Sequence, residues 1–288
     1  MQPFTYARPT SLTSALAIFE SAAGDARVLA GGTDLIIALR HDSVRSGIVV
    51  DIKRIPEVAS GIAWEGDRLR IGATTVMATV ASSEAVRDTF PALAEAAACV
   101  GSVQIRNRAT VAGNVCNASP AADTAPPLLV YAAEVVASSV SGTRRIPIGE
   151  FFVRSGVTTL HPDEIVTAIE LPRPARAMGV VHMRRTRRRG HDLASVTMCC
   201  GIDDSGVTRL AFGSVGPRPL VRSDVSGVLA DVLASEEVKM KVLDDIFRDA
   251  RPSPPSMRAR PEYRLAMLRV LGLRGVEAAA ARLAGQHR

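Results

Sequence analysis

Apolar and polar positions alternate with two different periods along this chain, and the switches between them outline its elements. Residues 11–23 carry apolar side chains at helical spacing, with Ser11 or Thr13 placed to cap the start and Gly24-Asp25 to close the end. Arg27-Val28-Leu29-Ala30 then reads as a short buried strand. It runs into Gly31-Gly32-Thr33-Asp34, and a helical stretch follows from Leu35 to Leu39. Ile48 to Ile52 is a second continuous apolar run of strand length. The first fifty residues therefore predict a small α/β unit with a glycine turn between strand and helix.

Trp64, the turn Glu65-Gly66-Asp67 and the alternation of Leu69-Arg70-Ile71 predict a hairpin, with helices expected at 75–82 and 91–100. The segment 101–127 has no clean period and is rich in Gly, Asn, Ser, Ala and Pro. A long irregular stretch inside a compact domain usually serves a function. Helix is expected again at 128–133. Val135 to Ala137 and Arg145 to Pro147 flank the turn Ser141-Gly142-Thr143 as a second hairpin, and 164–169 reads as a strand. Pro172-Arg173-Pro174 marks a domain boundary. Beyond it, 180–187, 194–202 and 207–214 predict an antiparallel meander turning at Asp203 to Gly206. Helices are expected over 222–232, 236–249 and 261–284, with a break at Pro252 to Pro255.

Composition narrows the class. The chain has 288 residues, 47% hydrophobic and 22% charged, enough for two domains with a sizeable core. No run approaches the roughly 18 apolar residues of a membrane span, and the start lacks the pattern of a secretory signal, so a cytoplasmic protein is expected. Cys99, Cys116, Cys199 and Cys200 form no CxxC pair, which predicts small buried hydrophobes and no metal centre in this chain. His41, His161, His182, His191 and His287 are scattered and are expected at the surface. The net charge of +6 owes part to Arg184-Arg185 and Arg187-Arg188-Arg189. No aromatic platform or nucleic-acid motif accompanies that run, so nucleic acid is not expected as a partner.

Two loops carry candidate chemistry. Two glycines at 31 and 32, between strand and helix, let the backbone turn tightly and bring N–H groups to an anion. The spacing is neither the GxGxxG of a dinucleotide fold nor a Walker motif. The second loop runs Gln104-Ile105-Arg106-Asn107-Arg108-Ala109-Thr110-Val111-Ala112-Gly113-Asn114 and continues through Ser119-Pro120 and Asp123. Thr110, Asn114 and Ser119 offer hydrogen bonds, Gly113 permits close approach, and Asp123 offers an acceptor for a ribose hydroxyl.

Together these segments resemble the FAD-binding medium subunit of the xanthine dehydrogenase and carbon monoxide dehydrogenase (molybdenum hydroxylase) family. Ala30 to Leu35 matches its Ala-Gly-Gly-Thr-Asp-Leu loop, and 106–114 with Ser119, Pro120 and Asp123 matches its Arg-Asn-x-x-Thr-Ile-Gly-Gly-Asn run and the Ser-Pro-x-x-Asp after it. Phe4-x-Tyr6-x-x-Pro9, Ile71 to Thr75, Thr159 to Ile165, Asp192-Leu193-Ala194 and Tyr263-Arg264 extend the likeness over the chain. The resemblance implies an α+β fold: a two-subdomain FAD-binding fold of the vanillyl-alcohol oxidase and p-cresol methylhydroxylase type, then an antiparallel sheet with a helical bundle. The implied domains are 1–174, with subdomains of about 1–55 and 56–174, and 175–288.

It also implies roles. Leu29, Ala30, Gly31, Gly32, Thr33, Asp34 and Leu35 would cradle the FAD pyrophosphate. Thr110, Gly113, Asn114 and Ser119 would line the cleft, with Gly101 counted among them, and Asp123 would bind the adenosine side. Leu160 would pack near the adenine and Leu193 near the isoalloxazine. Two positions depart from the pattern. Ala112 stands for the first glycine of Gly-Gly-Asn, and Arg184 stands where a lysine is usual. No cysteine-rich insertion of the benzoyl-CoA reductase branch is present.

By the same resemblance, no residue of this chain need act as a general acid or base. A large partner would hold molybdopterin, a small partner would hold [2Fe-2S] clusters, and this chain would pass electrons through FAD to an external acceptor in a heterotrimer or its dimer. A stand-alone FAD-dependent oxidoreductase and a non-enzymatic module using the arginine run are the competing readings.

Overall fold

The computed structural model describes residues 1–188, 190–254, 256 and 258–286, the last by its backbone alone. The expectations for Arg189 and His287, and for Pro255 at the end of the proline-rich break, fall outside those residues.

The chain opens with β1 (Thr5–Ala7), α1 (Leu12–Ser21), β2 (Ala26–Leu29), α2 (Leu35–Arg40) and β3 (Ile48–Asp51). The three strands are parallel in the order β1-β3-β2, so the most apolar strand is central. Ser11 caps α1 by accepting from the Ser14 N–H, and Ala15, Leu16 and Phe19 form its buried stripe.

A five-stranded antiparallel sheet, ordered β4-β5-β10-β6-β7, forms the next layer. It holds β4 (Ile62–Glu65), β5 (Arg68–Gly72), β6 (Glu134–Ser139), β7 (Gly142–Pro147) and β10 (Ile165–Pro172). Between β5 and β6 run six helices, α3 (Met77–Ser82), α4 (Glu84–Thr89), α5 (Pro91–Cys99), α6 (Val103–Arg106), α7 (Val111–Cys116) and α8 (Ala125–Val130). The segment expected to be irregular thus holds three short helices. Their brevity hid the period, and Pro126-Pro127, which read as loop, sit in the first turn of α8, where a missing N–H costs nothing. Helix expected at 128–133 ends at Val130 because Ala132 turns left-handed (φ 52°). After β7 come α9 (Ile148–Phe151) and the small hairpin β8 (Phe152–Arg154), β9 (Val157–Thr158).

Arg173 follows β10 with its guanidinium 3.9 Å from the Trp64 ring centroid. The meander then appears as β11 (Met178–Arg185), β12 (Val196–Asp203), β13 (Thr208–Gly213) and a fourth strand, β14 (Leu220–Asp224). The helix expected at 222–232 is not formed. Its first residues pair with β13, and Asp224 folds the chain after it by accepting from the Ser226 and Leu229 N–H groups. α10 (Glu236–Ile246) and α11 (Pro261–Gln286) follow.

β12 is buried along its whole length, because α11 covers one face of this sheet and α8 lies against the other. Glycines allow that closeness. A Cβ on Gly179 would lie 2.0 Å from the Ala279 carbonyl oxygen in α11, and one on Gly213 would lie 2.5 Å from the Pro120 carbonyl oxygen.

Candidate functional site

The parallel strands β1, β2 and β3 all end on one side of the first unit, the side on which open α/β sheets take ligands. β2 leads into Ala30-Gly31-Gly32-Thr33-Asp34. Gly32 sits at φ 78°, which favours glycine. Gly31 is forced by contact: a Cβ there would lie 2.1 Å from the Arg108 carbonyl oxygen. The two glycine loops predicted from the sequence therefore lie backbone against backbone. Among the described residues, the N–H groups of Gly31, Gly32, Thr33, Asp34 and Leu35 meet no acceptor within the chain. The first α2 amide to find one is Ile36, on the Gly32 carbonyl at 3.1 Å. A row of unpaired amides of this kind has the donors that an anion takes.

Cations flank it. Lys53 donates to the Ala30 carbonyl at 3.3 Å and pairs with Asp51 at 2.7 Å. Arg8 lies 3.9 Å from the same carboxylate, and the Tyr6 hydroxyl donates to it at 2.6 Å. Burial pushes Asp51 up, but the hydrogen bonds from Lys53 and Tyr6 outweigh it and hold the carboxyl below its usual range. Burial raises the Asp34 carboxyl.

The second loop is pinned to the helices beside it. Met77 N–H donates to the Ala109 carbonyl and Val111 N–H to that of Thr75. Thr110 is buried, and its hydroxyl accepts from the Gly113 N–H to cap α7. That hydroxyl is an organiser of the loop. Asn114 accepts from the Thr124 hydroxyl at 2.7 Å through its carbonyl oxygen, which leaves its NH2 group to donate elsewhere. Ser119 accepts from the Ala121 N–H. Ala112 is buried inside α7, so its methyl joins the core. Gly101 sits at φ 53° against Ile105, turning the chain from α5 into α6.

Asp123 stands at the seam between this loop and the meander. It is 7% exposed and forms an ion pair with Arg184 of β11, which also donates to the Cys99 carbonyl at 2.9 Å. The other carboxylate oxygen, Oδ1, is buried without a hydrogen-bond partner, with His182 Nε2 3.7 Å away. Burial raises the Asp123 pKa, and Arg184 opposes that only in part. The expectation that every histidine lies at the surface fails at His182. Its side chain is 2% exposed, and burial together with the Arg184 charge lowers its pKa to about 3. His41, His161 and His191 are exposed. Strand alternation carried the signal that was missed: two residues before Arg184 in β11, His182 shares its face.

Leu160 is half-buried against the main core, beside Thr159, whose hydroxyl is buried without a partner. Its segment is tied to the second loop by the Gly156 N–H on the Ala118 carbonyl. Leu193 is 50% exposed, an apolar side chain standing open. Ala194, next to it, accepts from the Ser214 hydroxyl, and the Ser214 N–H donates to the Pro120 carbonyl, so Leu193 stands near the Ser119-Pro120 turn. Contacts thus link 29–35 to the second loop through Gly31 and Arg108, the second loop to β11 through Asp123 and Arg184, and the 156–160 segment to the second loop through Gly156 and Ala118.

Among the described residues, no group of three histidine, cysteine or acidic side chains is placed to hold a metal ion, and no helix is long and apolar enough to cross a membrane.

Comparison with known proteins gives a consistent result. Residues 2–174 match the FAD binding domain in molybdopterin dehydrogenase, and residues 182–279 match the CO dehydrogenase flavoprotein C-terminal domain. The xanthine dehydrogenase FAD-binding subunit of Escherichia coli O157:H7 is 30% identical over 266 residues, 91% of each chain. The carbon monoxide dehydrogenase medium chain of Hydrogenophaga pseudoflava is 30% identical over 285 residues, 98% of each chain. A solved structure of carbon monoxide dehydrogenase from Hydrogenophaga pseudoflava, in a form lacking the Mo-pyranopterin moiety of the molybdenum cofactor, superimposes with a TM-score of 0.89 at 29% identity, covering 98% of this chain and 99% of the other.

Proposed function

The chain belongs to the molybdopterin dehydrogenase family of FAD-binding subunits, and on that premise we propose that it is the flavoprotein component of a molybdenum hydroxylase complex, with FAD held in a cleft between the first unit, the α6–α8 segment and β11. The chemistry that bound FAD supplies is electron transfer, from iron–sulfur clusters of a partner subunit to an external acceptor. The protein's own task is to bind, orient and tune.

The row of unpaired amides from Gly31 to Leu35 carries this reading. Those N–H groups donate to the pyrophosphate, and Lys53 and Arg8 add positive charge at the strand ends. Asn114 keeps its NH2 group, and Ser119 its hydroxyl proton, for the cofactor. Leu160 offers an apolar wall to the adenine, and Leu193 covers the isoalloxazine.

Asp123 and Arg184 act together. The carboxylate gives one oxygen to the guanidinium, while its buried Oδ1 faces His182. Arginine at 184, where lysine is usual in the family, holds Asp123 and brings one positive charge to the cleft wall. The same Nη1 that pairs with Asp123 also donates to the Cys99 carbonyl, which fixes the side chain to α5.

Domain organisation follows the cleft. Residues 1–174, in subdomains of about 1–55 and 56–174, form the FAD-binding domain, and 175–288 form the domain that supplies β11 and the partner contacts. The partners are a large molybdopterin subunit and a small [2Fe-2S] subunit, in a heterotrimer or a dimer of heterotrimers. The four unpaired cysteines suit a cytoplasmic setting. The test is the visible spectrum of the chain co-expressed with its genomic neighbours: flavin bands with iron–sulfur absorption are expected. A colourless chain that takes up no added FAD would overturn the proposal.

A further inference from the structure

A second cavity, of about 440 Å3, opens where the end of β11 meets the start of α11. Arg185, Thr186, Arg187 and Ser195 line it from the sheet, and Arg258, Ala259, Arg260 and Tyr263 from the segment entering the helix. Its volume falls in the range of small-molecule sites, about 300–1,000 Å3. Four of the lining residues are arginines and none is acidic.

Among the described residues, Asp192 is the carboxylate paired with these charges. Arg187 pairs with Asp192 at 2.8 Å. Arg185 donates through Nε to the Tyr263 hydroxyl oxygen at 2.9 Å, so the Tyr263 proton is free to be donated in turn. The side chains of Arg258 and Arg260 make no hydrogen bond or ion pair among the described residues. Arg258 is half-buried, and burial together with the Arg187 charge lowers its pKa, against the opposing pull of Asp192. Behind it Arg264 is 3% exposed. It reaches the Ser214 carbonyl and the Ser256 hydroxyl, but its Nε has no partner, and burial together with Arg258 lowers its pKa. Five guanidinium groups with one carboxylate among them is an arrangement that costs free energy until an anion enters.

We propose that this cavity is an oxyanion-binding site for a phosphorylated small molecule, distinct from the amide cradle at 31–35. The guanidinium forks of Arg258 and Arg260 match phosphate oxygens two at a time, and the Tyr263 and Ser195 hydroxyls supply neutral donors beside them. A concave site suits a compact, multiply charged group better than a flat acidic surface would. Arg185 and Arg187 lie one and three residues from Arg184, so an anion bound here sits next to the cleft in the fold and touches none of its proposed ligands.

The test is calorimetric titration of the FAD-saturated chain with inorganic pyrophosphate, the flavin occupying the amide cradle. One saturable site is expected, weakened about tenfold by Arg258→Gln, the loss of one charge-assisted pair. Should that variant not fold, Arg260→Gln, at an exposed position, gives the same readout. Absence of pyrophosphate binding to the FAD-loaded chain, or equal affinity in the variant, would overturn the proposal. So would binding of a glutamate-rich peptide in place of pyrophosphate, which would make the cavity a contact for an acidic protein segment.

Discussion

Replacing Gly31 by alanine tests the cradle directly. The added Cβ would lie 2.1 Å from the Arg108 carbonyl oxygen, 2.8 Å from its carbon and 3.0 Å from the Ala109 Cα. All three are backbone atoms, so no side-chain rotation relieves the clash. Ordinary contact needs the two loops to part by about 1 Å or more. Overpacking of that kind costs about 1–3 kcal/mol. The two loops form one rim of the proposed FAD site, so the cost appears as lost affinity, roughly 5- to 150-fold in Kd. Fluorescence-quenching titration of the apo chain with FAD measures it, and a thermal melt reports any part lost to stability. Gly61→Ala is the control, since a Cβ there meets nothing within 4 Å and the backbone is not left-handed. If Gly31→Ala binds FAD and melts like the wild type, the loops do not form a common rim and the assignment of 29–35 as the pyrophosphate cradle fails.

Other outcomes follow from the same geometry. Arg184→Ala leaves Asp123 buried without its cation and should cost about 3–5 kcal/mol in denaturant unfolding, less whatever protonation of Asp123 relieves, whereas Arg184→Lys should recover most of it; equal losses in the two variants would contradict the pairing. His182 has its pKa lowered from 6.5 to about 3, so below about pH 6.5 the unfolded chain takes up a proton that the folded ring refuses. Stability should therefore fall with pH in that window by up to about 1.4 kcal/mol per unit, and the slope should flatten in His182→Gln. Identical slopes would show that the ring titrates normally. Leu193→Ala, at a half-exposed position, should leave unfolding stability within about 0.5 kcal/mol of wild type while changing the fluorescence or potential of bound FAD. A flavin signal indifferent to this change would move Leu193 out of the site.

Much of the fold was legible from local pattern. The strands at 27–30 and 48–52, the first hairpin and the meander lie within a residue or two of where alternation and turn residues put them, because each is defined by neighbours in sequence; in the second hairpin β7 begins three residues early, at Gly142, inside the expected turn. The failures are non-local. β14 read as helix because its partner, β13, supplies what its own sequence does not. Three helices between residues 103 and 130 were too short for a period to show. In the site, the two glycine loops stood out on their own, but their mutual contact at Gly31 did not, since it depends on Arg108 being brought back across the sheet. The buried pair of His182 and Arg184 around Asp123 bridges about sixty residues, and only strand alternation hinted at it.

The close seating of α11 on β11 has a consequence in time. Gly179 meets Ala279 across one hundred residues of chain, and Arg282 returns to the Val180 carbonyl and to Glu95 of α5. The strand that carries Arg184 is thus secured by a helix made long after it, through contacts whose loop closure is slow. The first unit, with its cradle, is built from neighbours and can form early. The wall opposite must wait for α11. If the cleft is the FAD site proposed above, a chain caught before that helix docks would hold half of it, and capture of the cofactor is expected at the last stage of folding.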